Sequence, residues 1–393
     1  MVTVEEARKI LQENIELSET IVLPIVDALG KVLAKDVISK MNVPSFDNSA
    51  MDGYCFHYED GRNRYRIEGQ IQAGDTQLEP IKPGFCSRIY TGAMMPDGAD
   101  TVVQQELVTL DGNELVFDLN KIIKGANVRL EGTQNKCGDI LASQGAKITP
   151  SLIGLLASVG ISEVEVYAFP KVSIVITGNE LIEVGQELQK GQIYNSNEFS
   201  LKALFHSIGI KEMQFFKAAD TLDSVTTALE HASSASEFII VTGGISVGDF
   251  DFVRASMLRV GVTELFYKIS QKPGKPLWVG KKLNQWFFAL PGNPAAVVTC
   301  FNQYVKPVVW GTTGNLNPFL PFAKLPLQNH FKKKAGLTHF LKGQFTVEGV
   351  QILNAQESFN MKAFNHANCI VEIDSEIEDI EMGTFVRVYP LPE

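Results

Sequence analysis

No run of apolar residues in this chain approaches the roughly 18 that a membrane span needs, so no membrane partner is expected. Cysteine is sparse. The five present (Cys55, Cys86, Cys137, Cys300, Cys369) lie far apart, and an odd number with no CxxC pair fits neither a disulfide framework nor a zinc ribbon. That usage suits a reducing compartment, and the expected location is cytoplasmic. The six histidines show no HExxH or comparable ligand spacing, which argues against a structural metal. Positive charge is in the minority: 35 Lys and Arg against 45 Asp and Glu leave a formal net charge of −10. A general nucleic-acid binder needs a basic surface, so that class is excluded. An anionic ligand must instead be held by local lysines and backbone amides. There is no GKS or GKT and no GxGxxG, which disfavours generic nucleotide hydrolysis and a dinucleotide fold. Residues Met1 to Leu17 carry Glu5, Glu6, Arg8, Lys9 and Glu13 and read as an amphipathic helix rather than a signal peptide.

What is present points to several domains, because 393 residues exceed what one hydrophobic core usually holds. A second helix-like piece is expected near Val26 to Val37. From about 39 to 140 short β-rich runs are cut by glycines, as in Arg64 to Ile71, Ser87 to Tyr90, Thr101 to Gln105 and Leu115 to Leu119. Asp111-Gly112-Asn113 is the clearest hairpin signal among them. A helix restarts at 149–160, with Thr149 as N-cap, Pro150 in the first turn and Gly160 at the exit. Strands and helices then alternate to about Val305, which predicts a parallel α/β sheet covered on both faces. Past Pro307 a Gly/Pro/Asn-rich connector is expected. Residues 322–393 return to short strands and suggest a small β-barrel.

Six polar, glycine-punctuated loops could carry chemistry. Pro44 to Tyr54 (PSFDNSAMDGY) packs two carboxylates, an amide and hydroxyls between turn formers. Tyr90-Thr91-Gly92-Ala93 ends a strand in a hydroxyl and a glycine. Ile174 to Ile176 runs into Thr177-Gly178-Asn179-Glu180, and Phe238 to Val241 runs into TGGISVGDFD at 242–251. Ligands of open α/β sheets bind beyond the carboxyl ends of strands, where glycines let amides approach a phosphate. Lys268, Lys272 and Lys275 sit on a proline-limited segment, KISQKPGKP, and Pro291-Gly292-Asn293-Pro294 opens a helix. Lysine ammonium groups serve well as point-charge phosphate binders. The run Lys332 to Lys334 reads as a solvated stretch of charge.

Taken in order, these loops resemble the MoeA/gephyrin E-domain family, the molybdopterin molybdenumtransferases. The matching pieces are PSFDNSAMDGY (44–54), TGAMMPDGADTVVQQE (91–106), TGNEL (177–181), GQIYNSN (191–197), TGGISVGDFD (242–251), KPGKP (272–276) and LPGNP (290–294). The resemblance implies a multidomain α/β protein with four parts. These are a molybdopterin-binding α/β domain (1–19 and 169–317), a helical linking domain (20–38 and 139–168), a β-rich inserted domain (39–138) and a C-terminal β-barrel (318–393). It implies a homodimer whose site combines elements of both subunits. Molybdopterin adenylyltransferase and proteins delivering cofactor to molybdoenzymes are the further partners implied. The implied reaction takes adenylylated molybdopterin and molybdate, uses a divalent cation such as Mg²⁺, and releases AMP.

The resemblance also assigns roles. Asp52, Thr91 and Glu180 match catalytic positions, and Asp52, Glu180, Asp220 and Asp251 match acidic positions suited to a metal. Ser49, Met51, Gly243, Gly244, Ser246, Gly248, Lys268, Lys272, Lys275, Pro291, Asn293 and Pro294 match substrate-binding positions. Hydrolysis of a phosphoanhydride makes physical sense of them, since it needs cations to offset charge and carboxylates to place a metal. The chain departs from the family pattern at Gly132-Thr133-Gln134, where the family has Gly-Glu-Asp, and at Ala363, where a serine is usual. Asn179 and Asn195 stand where aspartate is common. Gln134 cannot ionise, so an alternative expectation is a pterin-binding paralogue with reduced or no insertase activity, serving storage, delivery or assembly.

Overall fold

The computed structural model describes residues 1–245, 252–319 and 323–391. It divides the chain into two compact units, Val22–Val166 and Met1–Ile21 with Tyr167–Glu393. No helix among the described residues is long and apolar enough to cross a membrane.

The Val22–Val166 unit is built on six strands: β1 (Gly53–Phe56), β2 (Arg64–Ile71), β3 (Phe85–Ile89), β4 (Thr101–Gln104), β5 (Val108–Asp111) and β6 (Glu114–Phe117). They lie in the order β4-β1-β3-β2-β6-β5. The Asp111-Gly112-Asn113 turn closes the β5–β6 hairpin, with Asp111 opposite Glu114 and Gly112 at φ 61°. Phe56, Tyr65 and Phe117 form the aromatic centre of the sheet's core. A separate core gathers Ala28, Leu33, Ile148, Leu156, Val164 and Val166. The helix Pro150–Ser158 beside it is capped by Thr149, whose hydroxyl accepts from the Leu152 amide.

The helix expected over Val26–Val37 is absent. Pro24 instead opens a turn whose carbonyl accepts from Asp27 and Ala28, and Gly30 leaves it at φ 79°. Val32 and Leu33 then bridge to Lys147 and Val166. Long-range pairing has overridden a weak local helical preference here.

In the other unit the sheet comprises β7 (Val172–Thr177), β8 (Met213–Ala218), β9 (Phe238–Thr242), β10 (Thr263–Tyr267), β11 (Trp278–Lys282) and β12 (Gln285–Leu290). Its order is β8-β7-β9-β12-β11-β10. The pairs from β8 through β12 are parallel, but β11 is antiparallel to both of its neighbours, β12 and β10. The expected parallel sheet forms across β8, β7, β9 and β12, and one strand departs from it: only Leu283 and Asn284 join β11 to β12, and so short a link makes a hairpin, not a crossover. The helices Val4–Glu13 and Ser196–Ser207 pack on one apolar face, Leu222–Ala235 and Phe252–Arg259 on the other. Nor does the last helix stop at Val305, the end expected from the sequence. It runs from Pro294 through a π turn at Phe301–Val305 and on to Thr312, with Pro307 in the first turn after the π segment.

The C-terminal strands are β13 (Ala323–Pro326), β14 (Thr338–Thr346), β15 (Gly349–Ile352), β16 (Cys369–Ile373) and β17 (Phe385–Pro390). They close a ring: β14 pairs β15 and β16, β16 pairs β17, β17 pairs β13, and Leu327 just after β13 bridges back to Val350 of β15. Leu341, Val350, Val371 and Val388 fill the interior, as expected for a small barrel. The buried Glu372 carboxylate ties this barrel to the first helix. It accepts from Arg8 at 2.9 Å, Arg387 at 2.8 Å and the Tyr389 hydroxyl at 2.6 Å. Despite the cost of burial, those cations hold it below the ordinary glutamate range. The Lys332 to Lys334 run is not simply solvated. Lys332 pairs with Asp379, and Lys333 donates to the Leu337 and Ser375 carbonyls.

Candidate functional site

The loop before β1 is held from both ends. Asn48 and Ser49 pair with Arg129 and Val128, and Gly53 enters β1 against Val103, whose carbonyl would lie 1.9 Å from a Cβ at that position. Only glycine fits there. The β1–β3 register sets Gly53 opposite Ile89, which carries Asp52 to the end of β3 beside Thr91. The Asp52 carboxylate accepts from the Thr91 amide at 2.8 Å and from its hydroxyl at 2.7 Å. These two bonds, the backbone one first, hold Asp52 below the ordinary aspartate range and keep it ionised. Met51 is exposed beside it. Ser49 is fully buried, and its hydroxyl donates to the Met51 carbonyl at 2.6 Å. It shapes the turn rather than presenting a donor outward. Asp47 likewise serves the backbone, accepting from the Glu131 amide at 2.7 Å.

Gln134 lies on the segment running alongside this loop, its amide nitrogen donating to the Val43 carbonyl and its exposed side chain bonding Asn135. Gly132 donates to the Pro44 carbonyl in the same ladder. The substitution at Gln134 therefore leaves the local backbone pairing in place.

In the other unit the register of β7 and β8, with Thr177 opposite Ala218, sets Asn179 beside Asp220. The two clasp reciprocally: the Asn179 amide nitrogen donates to the Asp220 carboxylate at 3.2 Å, and the Asp220 nitrogen donates to the Asn179 side chain at 3.4 Å. Glu180 follows on the exposed side, with no side-chain hydrogen bond or ion pair to any described residue. Gly243 and Gly244 end β9 at φ 85° and 61°. A Cβ on Gly243 would lie 2.5 Å from the Thr177 carbonyl, and one on Gly244 would lie 2.7 Å from Val253. Close packing, against backbone at Gly243 and against side chains at Gly244, together with positive φ thus favours glycine at both positions. Ser246, Gly248 and Asp251 lie outside the described residues.

Pro291, buried, ends β12, and Asn293 with Pro294 starts the last helix. The Asn197 side chain holds this loop through the Gly292 carbonyl at 2.8 Å. Asn293 in turn donates to the Ser358 hydroxyl at 2.8 Å. Nothing in the residue pattern pointed to Ser358. Its loop is pinned by the buried Lys342 ammonium, which donates to the carbonyls of Ala355, Glu357 and Asn360 at 2.9–3.0 Å. Ala363 is buried nearby in sequence.

Lys268 adopts φ 61° and lays its ammonium 4.9 Å from the Tyr267 ring centroid, while Lys272 and Lys275 are exposed on the turn that follows. The Lys272–Pro273 bond is cis. Gln271 and Lys272 pair with Thr338 and His339 of β14. Burial, with Lys333 and Lys272 nearby, pushes His339 down to about 4, so it is neutral at neutral pH.

No group of three His, Cys, Asp or Glu side chains poised for a metal occurs among the described residues. The donors at the strand ends are nonetheless of the right kind for a hard cation. Mg²⁺ takes oxygen ligands and keeps several waters beside one or two carboxylates, and Glu180 and Asp220 are both accessible carboxylates.

Strand-end loops with close-packed glycines on an open α/β sheet are of the kind that phosphorylated ligands use, which gives the class the α/β unit suits. Family models match almost the whole chain. They are the MoeA N-terminal region (domain I and II) at 2–160, the "Probable molybdopterin binding domain" at 173–310 and the MoeA C-terminal region (domain IV) at 324–391. A molybdopterin molybdenumtransferase of Haemophilus influenzae is 36% identical over 99% of this chain and 98% of its own. One from Staphylococcus epidermidis is 32% identical over 98% and 95%. The crystal structure of a molybdopterin biosynthesis moeA protein from Pyrococcus horikoshii OT3 superposes with a TM-score of 0.86 at 26% identity, covering 100% of both chains. The chain belongs to the molybdopterin molybdenumtransferase (MoeA) family.

Proposed function

We propose that this chain is a molybdopterin molybdenumtransferase that inserts molybdate into adenylylated molybdopterin with release of AMP. The observation that carries the reading is Asp52, an accessible carboxylate kept ionised by two bonds from Thr91. Water cleaves the phosphoanhydride, AMP departs, and the phosphate stays on the pterin. Molybdate loses oxygen as water as the two dithiolene sulfurs bind the metal. Lys268, Lys272 and Lys275 offset the substrate's phosphate charge, and Asn293 with the Gly243-Gly244 turn shapes the ligand-facing rim. Asp52 supplies a fixed negative site for a cation or a proton. Glu180 and Asp220 would hold Mg²⁺, which when bound neutralises phosphate charge. A pterin-binding paralogue without turnover is not favoured, because all three family regions and relatives named for the transferase span the chain.

The same reading makes the protein cytoplasmic and homodimeric, with the four-part division of 1–19/169–317, 20–38/139–168, 39–138 and 318–393. Molybdopterin adenylyltransferase and cofactor-delivery proteins are its supply and outlet. The test is AMP release by purified protein given adenylylated molybdopterin, molybdate and Mg²⁺. AMP and metallated pterin should form in equal amounts. Pterin binding with no AMP, under conditions where the Haemophilus influenzae relative turns over, would overturn it.

A further inference from the structure

Under the lysine turn lies a buried polar cluster to which the reaction above assigns no part. Gln271 is completely buried, one residue before Lys272. Its side-chain nitrogen donates to the Pro273 carbonyl at 2.9 Å and, more weakly, to the Gly274 carbonyl at 3.5 Å. Its side-chain oxygen accepts from the Tyr304 hydroxyl. Tyr304 is also completely buried, on the π turn of the last helix. Burial holds its hydroxyl well above the ordinary tyrosine range, so it remains a neutral donor.

The turn is packed as tightly as it is bonded. Gly274 adopts φ 92°, and a Cβ there would lie 2.5 Å from Cys300 Sγ and 2.7 Å from the Gln271 amide nitrogen. The Ile269 amide closes the turn on the Lys275 carbonyl at 3.0 Å. By contrast the Lys272 and Lys275 side chains, three positions apart, are exposed and make no bond to any described residue. Two exposed cations therefore stand on a fixed base. Without the Gln271 amide, the Pro273 carbonyl would lose its side-chain donor and the Gly274 carbonyl would keep only the weak Cys300 thiol at 4.0 Å, and the turn would relax toward water to satisfy them.

We propose that Gln271 and Tyr304 are positioning residues that hold the Lys272–Lys275 turn in the geometry that captures the substrate's phosphates. This rests on the reading of those lysines as anion-binding. The lysines lower the free energy of the bound anion only if their stems already converge. Tyr304 and Gln271 supply that convergence from inside the core.

The test uses the full chain with Tyr304→Phe, which keeps the ring, and Gln271→Met, which keeps the length. Amide exchange at Ile269 should accelerate about tenfold in each, while exchange in Val172–Thr177 stays as in the wild type. The KM for adenylylated molybdopterin should rise about five- to tenfold with kcat within about twofold, as expected when a binding group is displaced and the chemistry is untouched. Should Gln271→Met fail to fold, Tyr304→Phe carries the test alone. Unchanged exchange at Ile269, or faster exchange with an unchanged KM while Lys272→Ala/Lys275→Ala raises it, overturns the proposal. If the double lysine variant itself leaves KM unchanged, the anion reading of the turn falls and the proposal falls with it.

Discussion

The two compact units present their carboxylates in opposite ways. In the Val22–Val166 unit Asp52 is accessible yet fixed, its charge held by the amide and hydroxyl of Thr91. In the other unit Glu180 projects from the end of β7 with no described partner, beside an Asp220 already engaged with Asn179. A fixed carboxylate is preorganised and costs nothing to orient when charge develops. A free one can adjust to a hydrated cation, which tolerates only near-ideal geometry. Under the proposed function the contrast divides the labour: Asp52 for electrostatics or proton handling, Glu180 and Asp220 for the metal.

That contrast can be broken experimentally. The largest effect is expected from Asp52→Asn, which can still accept from Thr91 but carries no charge. AMP release should fall at least about 100-fold while the urea midpoint hardly moves. An intact rate would remove Asp52 from the chemistry. Next comes Glu180→Gln, for which the Mg²⁺ concentration giving half-maximal rate should rise roughly tenfold, with wild-type rates regained at high metal. Loss that excess Mg²⁺ does not rescue would take Glu180 out of metal binding.

Thr91→Val removes one of the two bonds and should cost about tenfold or less in kcat/KM. Its sharper readout is the pH profile. The Thr91 bonds depress the Asp52 pKa, so their contribution is present above the ordinary aspartate value and lost as pH falls through the depressed one. Removing the hydroxyl must move the acid limb of the profile to higher pH. A limb that stays put, or moves down, would uncouple Asp52 from it. Smallest of all is Gln134→Asp. The backbone ladder from Gly132 and Gln134 to Pro44 and Val43 already stands, so the rate should change by less than about threefold. A gain of tenfold or more would revive the paralogue reading.

Much of the fold was legible because its signals are local. Thr149 capping Leu152, the Asp111-Gly112-Asn113 hairpin and the β-branched run Val172 to Ile176 each act within a few residues. Where the reading failed, distant pairing or an unmarked change in local backbone geometry decided. Val32 and Leu33 joined bridges instead of a helix, a two-residue link reversed β11, and a π turn let the last helix run through Pro307. The candidate site divides in the same way. Its loops were visible as loops, yet Ser49 looked like a ligand donor and is a buried turn brace, and Gln271 and Ser358 carried no signal at all.

By itself the sequence determined which polar groups stand at each strand end and where only glycine could follow, since turn chemistry and strand ends are set by neighbours in the chain. The tertiary structure decided which of those groups are committed and which are free. Asp52 meets Thr91 across 39 positions and Asn179 meets Asp220 across 41, and strand register alone brings each pair together. A hydrogen bond needs its partner within about 3 Å, and only the paired sheet fixes distances of that order between residues so far apart in the chain.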